Sequence, residues 1–208
     1  VDTSSGYALL AGIGGGEALG ELLRQSDLDI IVIEPDESKV EELRRSLDET
    51  GLYGERVAVH AGDVMSAALP PYLFRAAVIG DASAVDAWPG AAVVERLFHS
   101  LRPYGGTAGL PSSEAPGFEQ LEAWVREAGL ENAALDQEEG MTLLTRVGAL
   151  PGAGSWTHHN ANAANTVVSR DALRGPLGLL WFGGPSNEHV LPRHGRGPIP
   201  QVAGGRLF

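Results

Sequence analysis

The chain contains no cysteine. No disulfide can support its fold, and neither a thiol nucleophile nor a cysteine-based zinc site exists. Aromatic residues make up only 6% of its 208 residues. No apolar run is long enough to span a bilayer and no signal-peptide pattern stands at the start, so no membrane association is expected and a cytoplasmic location is. Basic residues are scarce beside acidic ones, 15 Lys and Arg against 27 Asp and Glu, for a formal net charge of −12. That opposes nucleic-acid binding, in which Lys and Arg must replace phosphate counterions. The acidity is concentrated in the first part of the chain, on stretches such as Asp36–Glu49. Residues 151–208 instead hold Arg170, Arg174, Arg193, Arg196 and Arg206 against Asp171 and Glu188. The chain opens at Val1 without an initiator methionine, close to the first expected strand, and is read as trimmed or partial.

Glycine, by contrast, is plentiful, and one cluster of it carries the most information. The apolar run Tyr7 to Ala11 ends in Gly12-Ile13-Gly14-Gly15-Gly16-Glu17. A helical pattern follows, with Leu19, Leu22 and Leu23 on one side. A second apolar run, Ile30–Ile33, ends in Glu34. Strand, glycine-rich turn, helix, strand, acid is the layout of a nucleoside-cofactor site on a Rossmann-like sheet. Glycine lets the backbone turn sharply and lets a ligand approach main-chain N–H groups with no Cβ in the way. A carboxylate at the second strand tip is placed to accept bonds from ribose hydroxyls.

Strands are expected near 7–11, 29–34, 56–61, 75–80, 104–110, 131–136 and 141–147, with helices near 16–26, 37–50, 90–101 and 115–128. Alternation of this kind predicts a parallel sheet with helices on both faces, and the short Gln137–Gly140 turn predicts a terminal hairpin. The composition changes at Leu150. Pro151-Gly152-Ala153-Gly154 reads as a linker, which divides the chain into 1–150 and a Gly/Pro-rich, β-rich extension over 151–208. In that extension Leu177–Phe182 is a candidate strand and Gly204-Gly205 a hairpin turn.

The glycine spacing separates the cofactor classes. A dinucleotide fingerprint starting at Gly12 needs Gly or Ala at position 17, where Glu17 stands, so a nicotinamide oxidoreductase is disfavoured. The pattern present is G-x-G-x-G at Gly12, Gly14 and Gly16. With it come the acid Glu34, the strand-tip pair Gly62-Asp63 followed by Val64, the run Ala76–Gly80 ending in Asp81, and the turn Leu101-Arg102-Pro103-Tyr104-Gly105-Gly106. In this order the motifs resemble those of the class I S-adenosylmethionine-dependent methyltransferases over residues 6–148. The resemblance implies a seven-stranded Rossmann-like α/β sheet and an S-adenosylmethionine site. Gly12, Gly14 and Gly16 would admit the methionine and ribose portion, Glu34 the ribose hydroxyls, and Asp63 the adenine amino group with Val64 beside the ring. Asp81 is the candidate to face the sulfonium or the acceptor. Where the family usually carries an acid two residues before the first glycine, this chain has Leu10. The acceptor implied is a small molecule or a protein.

Trp156-Thr157, Asn165-Thr166 and Leu180-Trp181-Phe182 resemble the entry to the first blade of quinoprotein-like β-propellers. That implies a chain continuing beyond Phe208 and an incomplete blade able to self-associate. It also implies an alternative role for residues 1–150, as a non-catalytic scaffold for a following propeller.

Other constellations are set aside. Leu69-Pro70-Pro71-Tyr72 is similar to the amine-binding motif of amino-methyltransferases, but Leu69 cannot accept an amine hydrogen bond and the segment precedes its strand, so a rigid turn is expected. His158-His159 and His189…His194 lack ligand spacing, and no metal site is expected. Ser66 and Ser112-Ser113 have no nucleophile-elbow context. Trp124, spaced helically with Leu121 and Ala128, is expected in the core.

Overall fold

The computed structural model describes residues 5–85, 89–113, 115–138, 140–174 and 199–208. The chain divides into two compact units, Val1–Gly148 and Ala149–Phe208.

In the first unit, β1 (Ser5–Ala11), α1 (Glu17–Gln25), β2 (Asp27–Glu34), α2 (Glu37–Glu49) and β3 (Val57–Ala61) alternate as expected. They are followed by β4 (Phe74–Ile79), α3 (Ala91–Ser100), β5 (Gly106–Pro111), α4 (Phe118–Glu127), β6 (Ala133–Glu138) and β7 (Met141–Arg146). The seven strands form one sheet in the order β3-β2-β1-β4-β5-β7-β6, all parallel except β7, which runs antiparallel between β5 and β6. This is the seven-stranded α/β architecture read from the sequence.

Alternation along the strands explains why the sheet is covered twice. Ala8, Leu10, Ile30, Val32, Val57 and Val59 pack on one face with Leu19 of α1 and Val40 and Leu47 of α2. Leu9, Ala11, Ile33, Ala77, Ile79 and Leu110 point to the other face, against Val93, Leu97 and Phe98 of α3 and Leu121 of α4. Strands buried on both sides read as uninterrupted apolar runs. Trp124 packs at the margin of the α3–α4 core.

Boundaries shifted by one to three residues at several elements, β1, β2 and β6 among them, and two of the shifts have a local cause. β5 starts at Gly106 because Tyr104 and Gly105 take left-handed backbone (φ 61° and 106°), and their N–H groups donate to Gly148 O and Arg146 O. α4 starts at Phe118, after Gly117 as its N-cap. A 3-10 turn at Ala82–Val85 follows β4, and residues 62–73 link β3 to β4 through turns with no helix. The carboxyl end of α3 receives the buried Arg146, whose guanidinium donates to Phe98 O (3.3 Å) and Leu101 O (3.1 Å) and lies over the Phe98 ring. A cation is favoured at a helix C-terminus.

In the second unit, Val202–Ala203 (β8) and Arg206–Leu207 (β9) form a hairpin across Gly204-Gly205, both at positive φ, the conformation that tight hairpin turns require. Trp156 and Val202 exchange N–H···O bonds of 2.8 Å in each direction. The expected strand Leu177–Phe182, and with it Trp181, His189 and His194, lies outside the described residues. Among the described residues no helix is long and apolar enough to cross a membrane, and no three His, Asp or Glu side chains cluster as metal ligands.

Candidate functional site

Strand order reverses between β1 and β4, because β2 leaves β1 on one side and β5 leaves β4 on the other. Ligands of open α/β sheets bind in the crevice beyond the carboxyl ends of the strands at such a reversal. All of the candidate residues in the glycine loop, Glu34, Asp63 and Asp81, lie at the carboxyl ends of β1 to β4.

The glycine loop is built on β1 and turned by its glycines. The Gly12 N–H donates to Ile33 O (2.8 Å), carrying the β1–β2 pairing one residue past the strand, and Gly12, Gly14 and Gly16 have φ of 77°, 52° and 82°. A Cβ at Gly12 would lie 2.6 Å from the Cβ of Asp81, and one at Gly14 would lie 2.8 Å from Gly80 O. A Cβ at Gly80 would in turn lie 2.5 Å from Gly12 O. The tips of β1 and β4 therefore interlock backbone to backbone, and two motif glycines are fixed by that contact before any ligand is considered. The open part of the loop is Gly15-Gly16, where a Cβ would meet nothing within 4 Å. Gly16 is also the N-cap of α1 and supplies no side-chain cap. The first N–H groups of a helix lack intrahelical acceptors, so this end of α1 keeps donor capacity.

Glu34 does something the sequence reading did not anticipate. The residue is only 1% exposed. Its Oε2 accepts the Ile13 N–H at 2.8 Å and its Oε1 accepts the Asp36 N–H at 3.1 Å. The carboxylate thus clamps the glycine loop to the turn that opens α2, where Asp36 in turn caps the Ser38 and Lys39 N–H groups. Each carboxylate oxygen retains a second lone pair.

Asp63 organises the turn after β3. Its Oδ1 accepts the N–H groups of Met65 (2.7 Å) and Ser66 (2.8 Å), while its own N–H donates to Ser66 Oγ. Burial opposes the charged form of Asp63. The Ser66 and Met65 N–H groups, the Ser66 hydroxyl and the Arg96 guanidinium outweigh it and hold the carboxyl below its ordinary value of 3.8. Asp81 plays the same part after β4: its Oδ1 accepts the Ser83 N–H at 2.8 Å. The Ser83 hydroxyl and N–H, with help from Lys39, keep the Asp81 carboxyl below its ordinary value against a smaller cost of burial.

Val64 does not take the position expected for it. It is fully buried in the α3–α4 core, and its N–H donates to Ala84 O (2.9 Å). A side chain without accessible surface forms the floor of the turn and offers no flank to an aromatic ring. Leu10 is likewise fully buried, on the α1–α2 face. Leu69-Pro70-Pro71-Tyr72 lies in the link that precedes β4, at the sheet end opposite the strand tips. There the Tyr72 N–H meets His99 O and its ring meets Arg146.

One participant gave no sequence signal. Arg96 of α3 donates from Nε to Val64 O (2.6 Å) and from Nη2 to Ala67 O, gripping the turn that carries Asp63. Its carbonyl partners lie 29 and 32 residues away in the chain, so no local pattern announces it.

No family model and no curated protein sequence matches the chain. Solved structures do. A candidate S-adenosyl-L-methionine-dependent methyltransferase of Methanococcus maripaludis superposes with a TM-score of 0.57 at 14% identity, over 69% of this chain and 78% of that one. A SAM-dependent methyltransferase of Aquifex aeolicus gives 0.50 at 15% identity, over 69% and 81%. The chain has the methyltransferase fold. A candidate sarcosine dimethylglycine methyltransferase of Galdieria sulphuraria gives 0.52 at 13% identity, over 64% of this chain, which spans 56% of that longer protein. At such identities the likeness is one of fold. The propeller resemblance of Trp156 to Phe182 finds no support in these comparisons.

Proposed function

We propose that residues 5–148 form an S-adenosylmethionine site at the tips of β1 to β4 and pass its methyl group to a small-molecule or protein acceptor. The observation that carries this reading is the open Gly15-Gly16 edge, beside the uncapped start of α1, at the point where strand order reverses. The backbone there fits a ligand that needs close approach and N–H donors. When bound, S-adenosylmethionine supplies a methyl carbon made electrophilic by the positive sulfur; an acceptor lone pair forms the new bond as the carbon–sulfur bond breaks, releasing S-adenosylhomocysteine.

The chain's own groups bind and orient. Glu34, 1% exposed, holds the glycine loop from behind through the Ile13 and Asp36 N–H groups, and ribose hydroxyls reach its remaining lone pairs only if the loop shifts to uncover them. Asp63, held ionised and with both of its turn bonds on Oδ1, offers Oδ2 to an adenine amino group. Asp81 places a negative charge near the β1–β4 junction, suited to the positive sulfur. Positioning two reactants in a site shielded from water accounts for a large part of the rate in transfers of this kind, so the reading requires no general base.

The second reading is a Rossmann-like module without methyl transfer. It is favoured by the buried Leu10 where the family carries an acid, and by a Glu34 already engaged by the chain's own N–H groups. Isothermal titration with S-adenosylmethionine separates the two. Binding lost in Glu34→Ala supports the cofactor site, whereas no heat at millimolar ligand leaves the module reading.

A further inference from the structure

We propose that Arg96 is a positioning residue that presents Asp63 to the nucleobase, and so sets the preference for a base carrying an exocyclic amine. The inference rests on the cofactor reading above. Residues 62–73 contain no helix, so the turn holding Asp63 is not carried on a regular element of its own. It is instead fastened from outside: the Gly62 N–H donates to Glu34 O (3.0 Å) at the tip of β2, and two further attachments follow it. The Val64 N–H donates to Ala84 O, which ties it to the turn after β4. On the other side Arg96, half-buried on α3, reaches the carbonyls of Val64 and Ala67 with two nitrogens of one planar guanidinium. Hydrogen bonds from an ionised donor are shorter and stronger than neutral ones. The rigid fork fixes the distance between the two carbonyls in a way a single ammonium cannot.

Those carbonyls bracket the turn that Asp63 caps. The Ala67 N–H returns to Asp63 O (2.9 Å), and Gly62 takes a φ of 134°, a backbone conformation that L side chains rarely adopt. Releasing Val64 O and Ala67 O therefore frees the backbone on which the Asp63 carboxylate sits. Arg96 also acts through space, since its positive charge helps keep Asp63 ionised. An ionised carboxylate only accepts hydrogen bonds. It welcomes the amine of adenine and repels the carbonyl oxygen of hypoxanthine. The predicted consequence is a selectivity between two otherwise identical ligands, and it depends on a residue placed behind the turn.

The test uses the full chain and titrates S-adenosylhomocysteine and S-inosylhomocysteine into the wild type, Arg96→Met and Arg96→Lys. Methionine keeps much of the apolar stem and removes both donors. Lysine keeps the charge and is the second variant should R96M fail to fold by circular dichroism. The expected result is a wild-type preference for the adenosyl ligand of about tenfold or more, as for one hydrogen bond to a charged group. R96M should reduce the preference several-fold through weaker adenosyl binding alone, and R96K should restore part of it. Equal weakening of both ligands would mark Arg96 as a general structural support, and unchanged selectivity would show that it does not position Asp63; either overturns the proposal. A wild type that binds adenosyl and inosyl ligands equally refutes the role of Asp63 while sparing the cofactor site. A wild type that binds neither refutes the cofactor reading and the role of Arg96 together.

Discussion

Glu34→Gln tests whether the glycine loop is held by a carboxylate. The substitution keeps the shape of the side chain but exchanges one acceptor oxygen for an NH2 donor. In the wild type both oxygens accept main-chain N–H groups, at 2.8 and 3.1 Å, on a residue 1% exposed. The amide can satisfy Ile13 or Asp36 but not both, and the other N–H then faces a donor. Losing a bond to a charged acceptor costs about 1.5–3 kcal/mol, and a buried unpaired polar group costs about 1–3 kcal/mol. These overlap in one event, so the expected net loss is about 2 kcal/mol. For a unit of this size that lowers the melting temperature by about 4–8 °C. Amide hydrogen exchange localises the effect: protection at Ile13 or Asp36 should fall by about thirtyfold, the ratio that about 2 kcal/mol represents. Glu34→Asp, one methylene shorter, keeps the charge and reaches at most one of the two donors, so it should fall between Gln and wild type. Wild-type stability to within about 0.5 kcal/mol in E34Q, the range typical of surface changes, with unchanged exchange at both amides, would refute the clamp.

Gly80→Ala should destabilise far more than Gly16→Ala. The new Cβ at position 80 stands 2.5 Å from a backbone oxygen that cannot yield cheaply, whereas at position 16 it enters open space and costs only the left-handed φ of 82°, about 1–2 kcal/mol; equal or reversed losses in urea unfolding would refute the interlock of β1 and β4. Asp63 and Asp81 have carboxyls held below the ordinary 3.8 in the folded chain, so their contribution is complete above that value and is lost as pH falls through the folded-state values beneath it. Stability measured from about pH 5 down to about pH 3 should therefore fall more steeply in the wild type than in the double variant Asp63→Asn, Asp81→Asn, and parallel curves would contradict the assignment.

The parts of this molecule readable from sequence are those where one physical cause leaves one pattern. Burial of a strand on both faces leaves an apolar run, so Tyr7–Ala11 and Ile30–Ile33 locate β1 and β2, and a run that stops at Gly12 or Glu34 locates a strand tip. The site was less readable because its residues answer to two causes at once. Gly12 and Gly14 satisfy a cofactor motif, yet each also makes room for the tip of β4, a demand that would select glycine with no ligand present. Only Gly15-Gly16, open on the side a Cβ would occupy, separates the two. Glu34 shows the same limit differently: residue type and strand position predict a carboxylate at the second tip but not which lone pairs the main chain has already taken. Leu10 shows it in reverse. It was conspicuous as the missing acid, but it is fully buried on the α1–α2 face, and a Cβ at Gly80 would stand 3.1 Å from its Cδ1. An acid in that place would sit among Ala8, Leu19 and Val32, surroundings that disfavour the charged form. Leu10 thus fits the packing of this loop, and under the proposed cofactor reading a ligand amino group would turn to the backbone of residues 12–16 or to Asp81 for its acceptors.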